Sequence, residues 1–176
     1  LLLLGVPLML FIIYLSLTTE IFVPGKSYTS TDVFKSDNSG YKFSIVGDGW
    51  RQVAIGTHSN GDAEVEFSGP LQDMYVLVFS PVQGSSVSSL AYNRLSTYDT
   101  SYNCKHEHEF NKKGTGVTAR VTCTSTSVGD PAVDLSTFIE TDKGVVEMYG
   151  HLSSPKNTFA KYKVGFTKMV EGFEPL

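Results

Sequence analysis

The chain has 176 residues, a formal net charge of −4, two cysteines and one tryptophan. That length fits one globular core plus an appendage, since single cores take roughly 100 to 200 residues. Acidity with scattered basic residues excludes nucleic acid or an anionic lipid surface as the main partner, because both need a concentrated positive patch.

Leu1 to Leu17 carry no charge and are dominated by Leu, Ile, Val, Phe and Met. At ~1.5 Å per residue, roughly 17 to 19 helical residues cover most of a ~30 Å hydrocarbon core. Residues 1–19 therefore read as a transmembrane anchor, with Thr18, Thr19 and Glu20 returning the chain to water. A cleavable signal is the alternative, disfavoured because no small-x-small site follows the apolar run. Residues 20–40 hold Pro24, Gly25 and a run rich in Ser, Thr, Asp and Asn, and read as a linker. Residues 41–176 are left as one extracytoplasmic α+β domain.

Tyr41, Phe43 and Ile45 alternate with Lys42 and Ser44, which predicts a strand. Gly47-Asp48-Gly49 then turns the chain into Trp50, and residues 52–57 read as the hairpin partner. Two further strands follow at Ala63 to Phe67 and Met74 to Phe79. The second is a continuous apolar run suited to burial on both faces of a sheet. Ser85 and Ser86 cap a helix on which Val87, Leu90, Ala91, Leu95 and Tyr98 recur at helical spacing.

Cys104 to Phe110 and Val117 to Cys123 read as the arms of a hairpin folded about Lys113 and Gly114. This register opposes Cys104 to Cys123, His106 to Val121, His108 to Ala119 and Phe110 to Val117. On the other face it sets Glu107 opposite Arg120, a favourable charge pair. Directly opposed cysteines on antiparallel strands approach disulfide geometry. A Cys104–Cys123 disulfide is preferred here over two buried thiols, and it implies an oxidising, extracytoplasmic space such as the periplasm.

Leu135 to Glu140 and Val145 to Leu152 form another hairpin around Thr141-Asp142-Lys143-Gly144. Ser154 and Pro155 open a last helix, on which Phe159, Tyr162, Phe166, Met169, Val170 and Phe173 make one apolar stripe. Its lysines, Lys156, Lys161, Lys163 and Lys168, read as a solvated face.

His106 and His108 share one face of their strand about 7 Å apart, two ligands of a metal site that needs a third. His58 and His151 are the candidates to supply it, although nothing in the sequence brings them near. The competing reading, a half-buried histidine face beside the disulfide, is preferred. No Gly-x-Ser-x-Gly elbow is present, and the glycine pairs lack phosphate-loop spacing, so no catalytic residue and no cofactor are expected. An enzyme with a noncontiguous site is the reading that motifs alone leave open.

The strand Tyr41-x-Phe43-x-Ile45, the turn into Gly49-Trp50 and the closing helix from Pro155 to Phe173 resemble the PsbP, Mog and DcrB-like domains over about residues 41–173. The resemblance implies an antiparallel sheet sandwiched by helices. It also implies a non-enzymatic binding or accessory role, since family members include extrinsic photosystem II subunits, partners of a small GTPase and envelope lipoproteins. Gly47-Asp48-Gly49 departs from the pattern, in which a proline often precedes the Gly-Trp pair. The expectation is thus a non-catalytic, membrane-anchored accessory subunit of a larger membrane complex, photosynthetic or respiratory, the photosynthetic option by analogy alone. Its partners would be neighbouring subunits, plus the bilayer through residues 1–19. The alternative is an extracytoplasmic metal-binding or metal-delivery domain using His106 and His108.

Overall fold

The computed structural model describes residues 25–55, 63–101, 104–113, 116–125 and 129–176. The expected anchor, residues 1–19, lies outside them. No helix among the described residues is long and apolar enough to cross a membrane.

In chain order the elements are β1 (Ser27–Tyr28), β2 (Val33–Ser36), β3 (Tyr41–Ser44), β4 (Trp50–Val53), β5 (Ala63–Ser68), β6 (Met74–Phe79), α1 (Val87–Ser101), β7 (Cys104–Lys113), β8 (Gly116–Ser125), β9 (Ala132–Thr141), β10 (Gly144–Ser153), α2 (Lys156–Glu171) and β11 (Glu174–Pro175). Among the described residues, eight strands form an antiparallel sheet in the order β1-β4-β5-β6-β10-β9-β8-β7. A second sheet runs β11-β3-β2. β6 lies inside the large sheet as its unbroken apolar run predicts. Met74, Val76 and Val78 face one side and Leu77 the other, and all four are buried.

The larger core fills the space between the big sheet, the small sheet and α2. Trp50, Phe67, Val76, Met148 and Leu152 meet Tyr41, Phe43, Phe166, Met169 and Phe173 there. Rings from both sheets interlock: Phe43 lies 5.5 Å from Phe67, nearly perpendicular, and Tyr41 lies 5.1 Å from Phe173. Gly150 of β10 lets α2 sit close. A Cβ there would come within 2.6 Å of the Phe166 ring and 2.8 Å of Val170. On the opposite face α1 packs Val87, Ala91 and Tyr98 over Ala119, Val121, Cys123, Phe138 and Val145. Its first turn is capped as expected, with the Ser89 N–H donating to Ser86 Oγ at 3.1 Å.

Several expectations need correction. Part of the expected linker belongs to the domain: Ser27 and Tyr28 pair with Arg51 and Trp50, and β2 pairs along β3. Ser36 and Ser39 tie this segment to β5 by donating to the Glu64 carboxylate at 2.8 and 2.5 Å. The strand after Trp50 is not the hairpin partner of β3. β4 pairs with β1 and β5 instead, so the Gly47-Asp48-Gly49 turn passes the chain from one sheet to the other. α2 stops at Glu171, and Phe173 anchors the exit while β11 joins the edge of β3.

The β7–β8 hairpin is present, with its register two residues from the expected one. Cys104 faces Ser125, Cys123 faces His106, His108 faces Val121 and Phe110 faces Ala119. A shift of two keeps every side chain on its expected face. It also makes Glu109, not Glu107, the residue opposite Arg120, at 3.9 Å.

Candidate functional site

The face of the large sheet that α1 partly covers carries a row of side chains set by strand register alone. Tyr75 on β6 pairs with His151 on β10, His151 with Asp134 on β9, Asp134 with Cys123 on β8, and Cys123 with His106 on β7. Alternation places Tyr75, His151, Asp134 and Cys123 on one face. The centre of the row is the best-built polar cluster among the described residues. The Tyr149 hydroxyl donates to Asp134 Oδ1, and His151 Nδ1 lies 2.9 Å from the same oxygen. The Asp134 side chain is 8% exposed and that of His151 is 23% exposed, so the imidazole is the part that solvent reaches. The Tyr75 ring stacks on His151 at 5.2 Å and meets Tyr149 at 6.1 Å.

Burial first, and then the Asp134 charge and hydrogen bond, push the Tyr149 phenol far above its ordinary value. Tyr98 is raised as well, again chiefly by burial and next by Asp134. Both phenols therefore hold their protons throughout the physiological range, and Tyr149 acts as a donor, not as a base. With two donors converging on one Asp134 oxygen, the cluster locks β9 to β10.

A second polar group adjoins it at the margin of α1. The Arg94 guanidinium grips Glu147 in a two-point fork, Nε to Oε1 at 2.8 Å and Nη2 to Oε2 at 2.9 Å. Ser136 Oγ donates to Glu147 Oε1 at 2.7 Å. The same guanidinium lies 5.3 Å from the Tyr149 ring centre and 5.9 Å from that of Phe79. Burial alone would lower the Arg94 pKa, but the Glu147 charge and its hydrogen bonds outweigh burial and raise it. Geometry of this kind, planar and bidentate over aromatic rings, is what arginine supplies and lysine does not.

The sequence-predicted site residues fall at the far end of the row. His108 is exposed and contacts Tyr92 of α1 at 6.4 Å and Phe110 at 5.8 Å between ring centres. His106 sits on β7 opposite Cys123, and its side chain, like that of Cys104, lies outside the described residues, as does His58. His151 stands three strands away from His106 in the row, about 14 Å at the usual strand spacing, too far to share one ion. Among the described residues no group of three or more His, Cys, Asp and Glu side chains is arranged to hold a metal.

Sequence reasoning passed over the Tyr149–Asp134–His151 cluster, yet one signal for it was present. A hairpin closed at Thr141 and Gly144 puts Asp134 opposite His151 and Ser136 opposite Tyr149 by counting back, as the observed pairing has it. Arg94 and Glu147 come from elements 53 positions apart, and no local pattern joins them.

The sheet order, the small second sheet and the helix on each face define a mostly antiparallel α+β architecture of the PsbP type. The solution structure of cyanobacterial PsbP (CyanoP) from Synechocystis sp. PCC 6803 matches with a TM-score of 0.57 and 15% identity, over 85% of this chain and 94% of that one. A point mutant of the protein Mog1 aligns at 13% identity over 86% of this chain and 95% of that one, with a TM-score of 0.46. No family model matches the chain, and no curated protein matches it.

Proposed function

We propose that this chain is a non-catalytic accessory subunit, tethered to a membrane by residues 1–19, whose domain binds neighbouring subunits of a larger membrane complex. The observation that carries the reading is the PsbP-like fold, spanning most of the chain. The chemistry of the polar cluster agrees with it, because Asp134 and Tyr149 are spent on each other and on His151. A tether raises the effective concentration of the domain near membrane partners without any new contact. The reading includes an oxidising compartment and a Cys104–Cys123 disulfide. The two positions share a face of the β7–β8 hairpin one diagonal step apart, and no free cysteine stands among the described residues.

The test is affinity purification of the full chain from gently solubilised native membranes, with mass spectrometry of proteins and metals. Stoichiometric partner subunits are expected. A lone monomer in mild detergent overturns the accessory role. If that monomer carries zinc or copper that disappears when His106 and His108 are both replaced, the metal-binding alternative takes its place.

A further inference from the structure

The turn that carries the chain between sheets and the face of α2 beside it enclose a shallow depression of about 190 Å³. Its floor is apolar and rigid: Trp50, Met74 and Phe166 are each no more than 2% exposed. Trp50 is fixed further by its indole N–H, which donates to the Val46 carbonyl at 3.1 Å. Pro70 and Tyr162 form the walls. Gly165 leaves the α2 side open, since a Cβ there would meet only Val46, in ordinary contact at 3.5 Å.

The charge around the opening is asymmetric. Lys161 lines it, with its ammonium 5.1 Å from the Tyr162 ring centre. Lys168, exposed, follows two turns later on the same side of the helix, with Gly165 between them. Among the described lining residues the one acid is Asp48, which accepts from the Ser30 N–H at 3.2 Å, so the two lysines outnumber it. The depression is smaller than the ~300 Å³ at which small-molecule pockets begin. It suits a single large side chain.

We infer that this depression is a docking site for a protein segment presenting one aromatic or branched apolar residue flanked by carboxylates. The apolar residue enters between Pro70 and Tyr162, and the carboxylates meet Lys161 and Lys168. The inference rests on the accessory reading for its choice of a protein partner and names that partner's chemistry.

The probe is a fluorescein-labelled peptide of Asp and Glu with one central Phe, titrated into the full chain in mild detergent and read by anisotropy. Replacing the Phe by Ala is expected to weaken binding about tenfold or more. Gly165→Leu, which fills the opening from the helix side, should do the same, and so should the milder Tyr162→Ala, which removes a wall without touching the floor. Lys161→Glu with Lys168→Glu should abolish binding, and added salt should weaken it. Equal binding of the Phe and Ala peptides, no binding by either, or indifference to all three variants with unchanged circular dichroism overturns the site. So does capture of the chain by phosphatidylserine vesicles above that by phosphatidylcholine vesicles, when the excess disappears in Lys161→Glu with Lys168→Glu, which would assign the lysines to lipid. If partner subunits still co-purify with Gly165→Leu while the peptide fails, the accessory role stands and only this site falls.

Discussion

Tyr149 illustrates what single residues contribute here, because its hydroxyl is buried, protonated and donated to a carboxylate that is itself 8% exposed. Tyr149→Phe removes that donor and leaves Asp134 with His151 alone. A cost of about 1–3 kcal/mol is expected, read as a lower urea midpoint at unchanged slope. The pH dependence has a definite sign. The ordinary phenol value is 10.0 and the folded value lies above it, so the folded state binds the proton more tightly. The associated stability is fully present below about pH 10 and is lost as pH rises from there towards the folded value. Wild type should lose stability above about pH 10 more steeply than Tyr149→Phe, while both stay level from about pH 7 to 9 with respect to this group. Equal slopes in the alkaline range would show that the phenol plays no such part.

At the scale of elements, the closest fit is α2 against β10 at Gly150. Gly150→Ala drives a methyl into Phe166 and Val170, both fully buried, so neither can give way without moving α2. A loss of about 1–3 kcal/mol is expected in denaturant unfolding, and a second change, Val170→Ala, should recover part of it by vacating space. An unaffected midpoint would mean that α2 packs less tightly than this. The elements with strong local signals were legible in the sequence: the apolar run of β6, the capped α1, the β9–β10 hairpin closed by Thr141 to Gly144, and the Ser154-Pro155 entry to α2. What was hidden depended on remote pairing. β1 is a two-residue strand in a polar stretch, paired with Trp50, and Ser36 of β2 reaches the Glu64 carboxylate, neither within a local window; the β2–β3 hairpin is local, but the polar run around it hid it. The β7–β8 register lies two residues from the expected one, a choice that alternation cannot make because both options keep the same faces. The polar cluster was half legible, since the hairpin count opposes Asp134 to His151. Arg94 reaching Glu147 from another element was not.

Over the whole molecule, the two core clusters among the described residues run from Tyr28 to Phe173, and the domain closes with its own aromatic residues. Its hydrophobic drive is therefore separable from that of the uncharged run Leu1 to Leu17, which the accessory reading assigns to a bilayer. Separability makes a sharp prediction for the proposed tether. The full chain, expressed in its native cells, should remain with membranes after alkaline carbonate washing, and removal of residues 1–24 should release it. The released domain should keep the circular dichroism of the full chain, because none of the residues in those clusters has been removed. In the same preparations, unfolded in denaturant, Cys104 and Cys123 should resist maleimide labelling until a reductant is added, as an oxidising compartment requires. A truncated chain that stays membrane-bound would shift the attachment to the domain surface. Release of the intact chain by carbonate would remove the tether from the account, and labelling without reductant would remove the oxidising compartment.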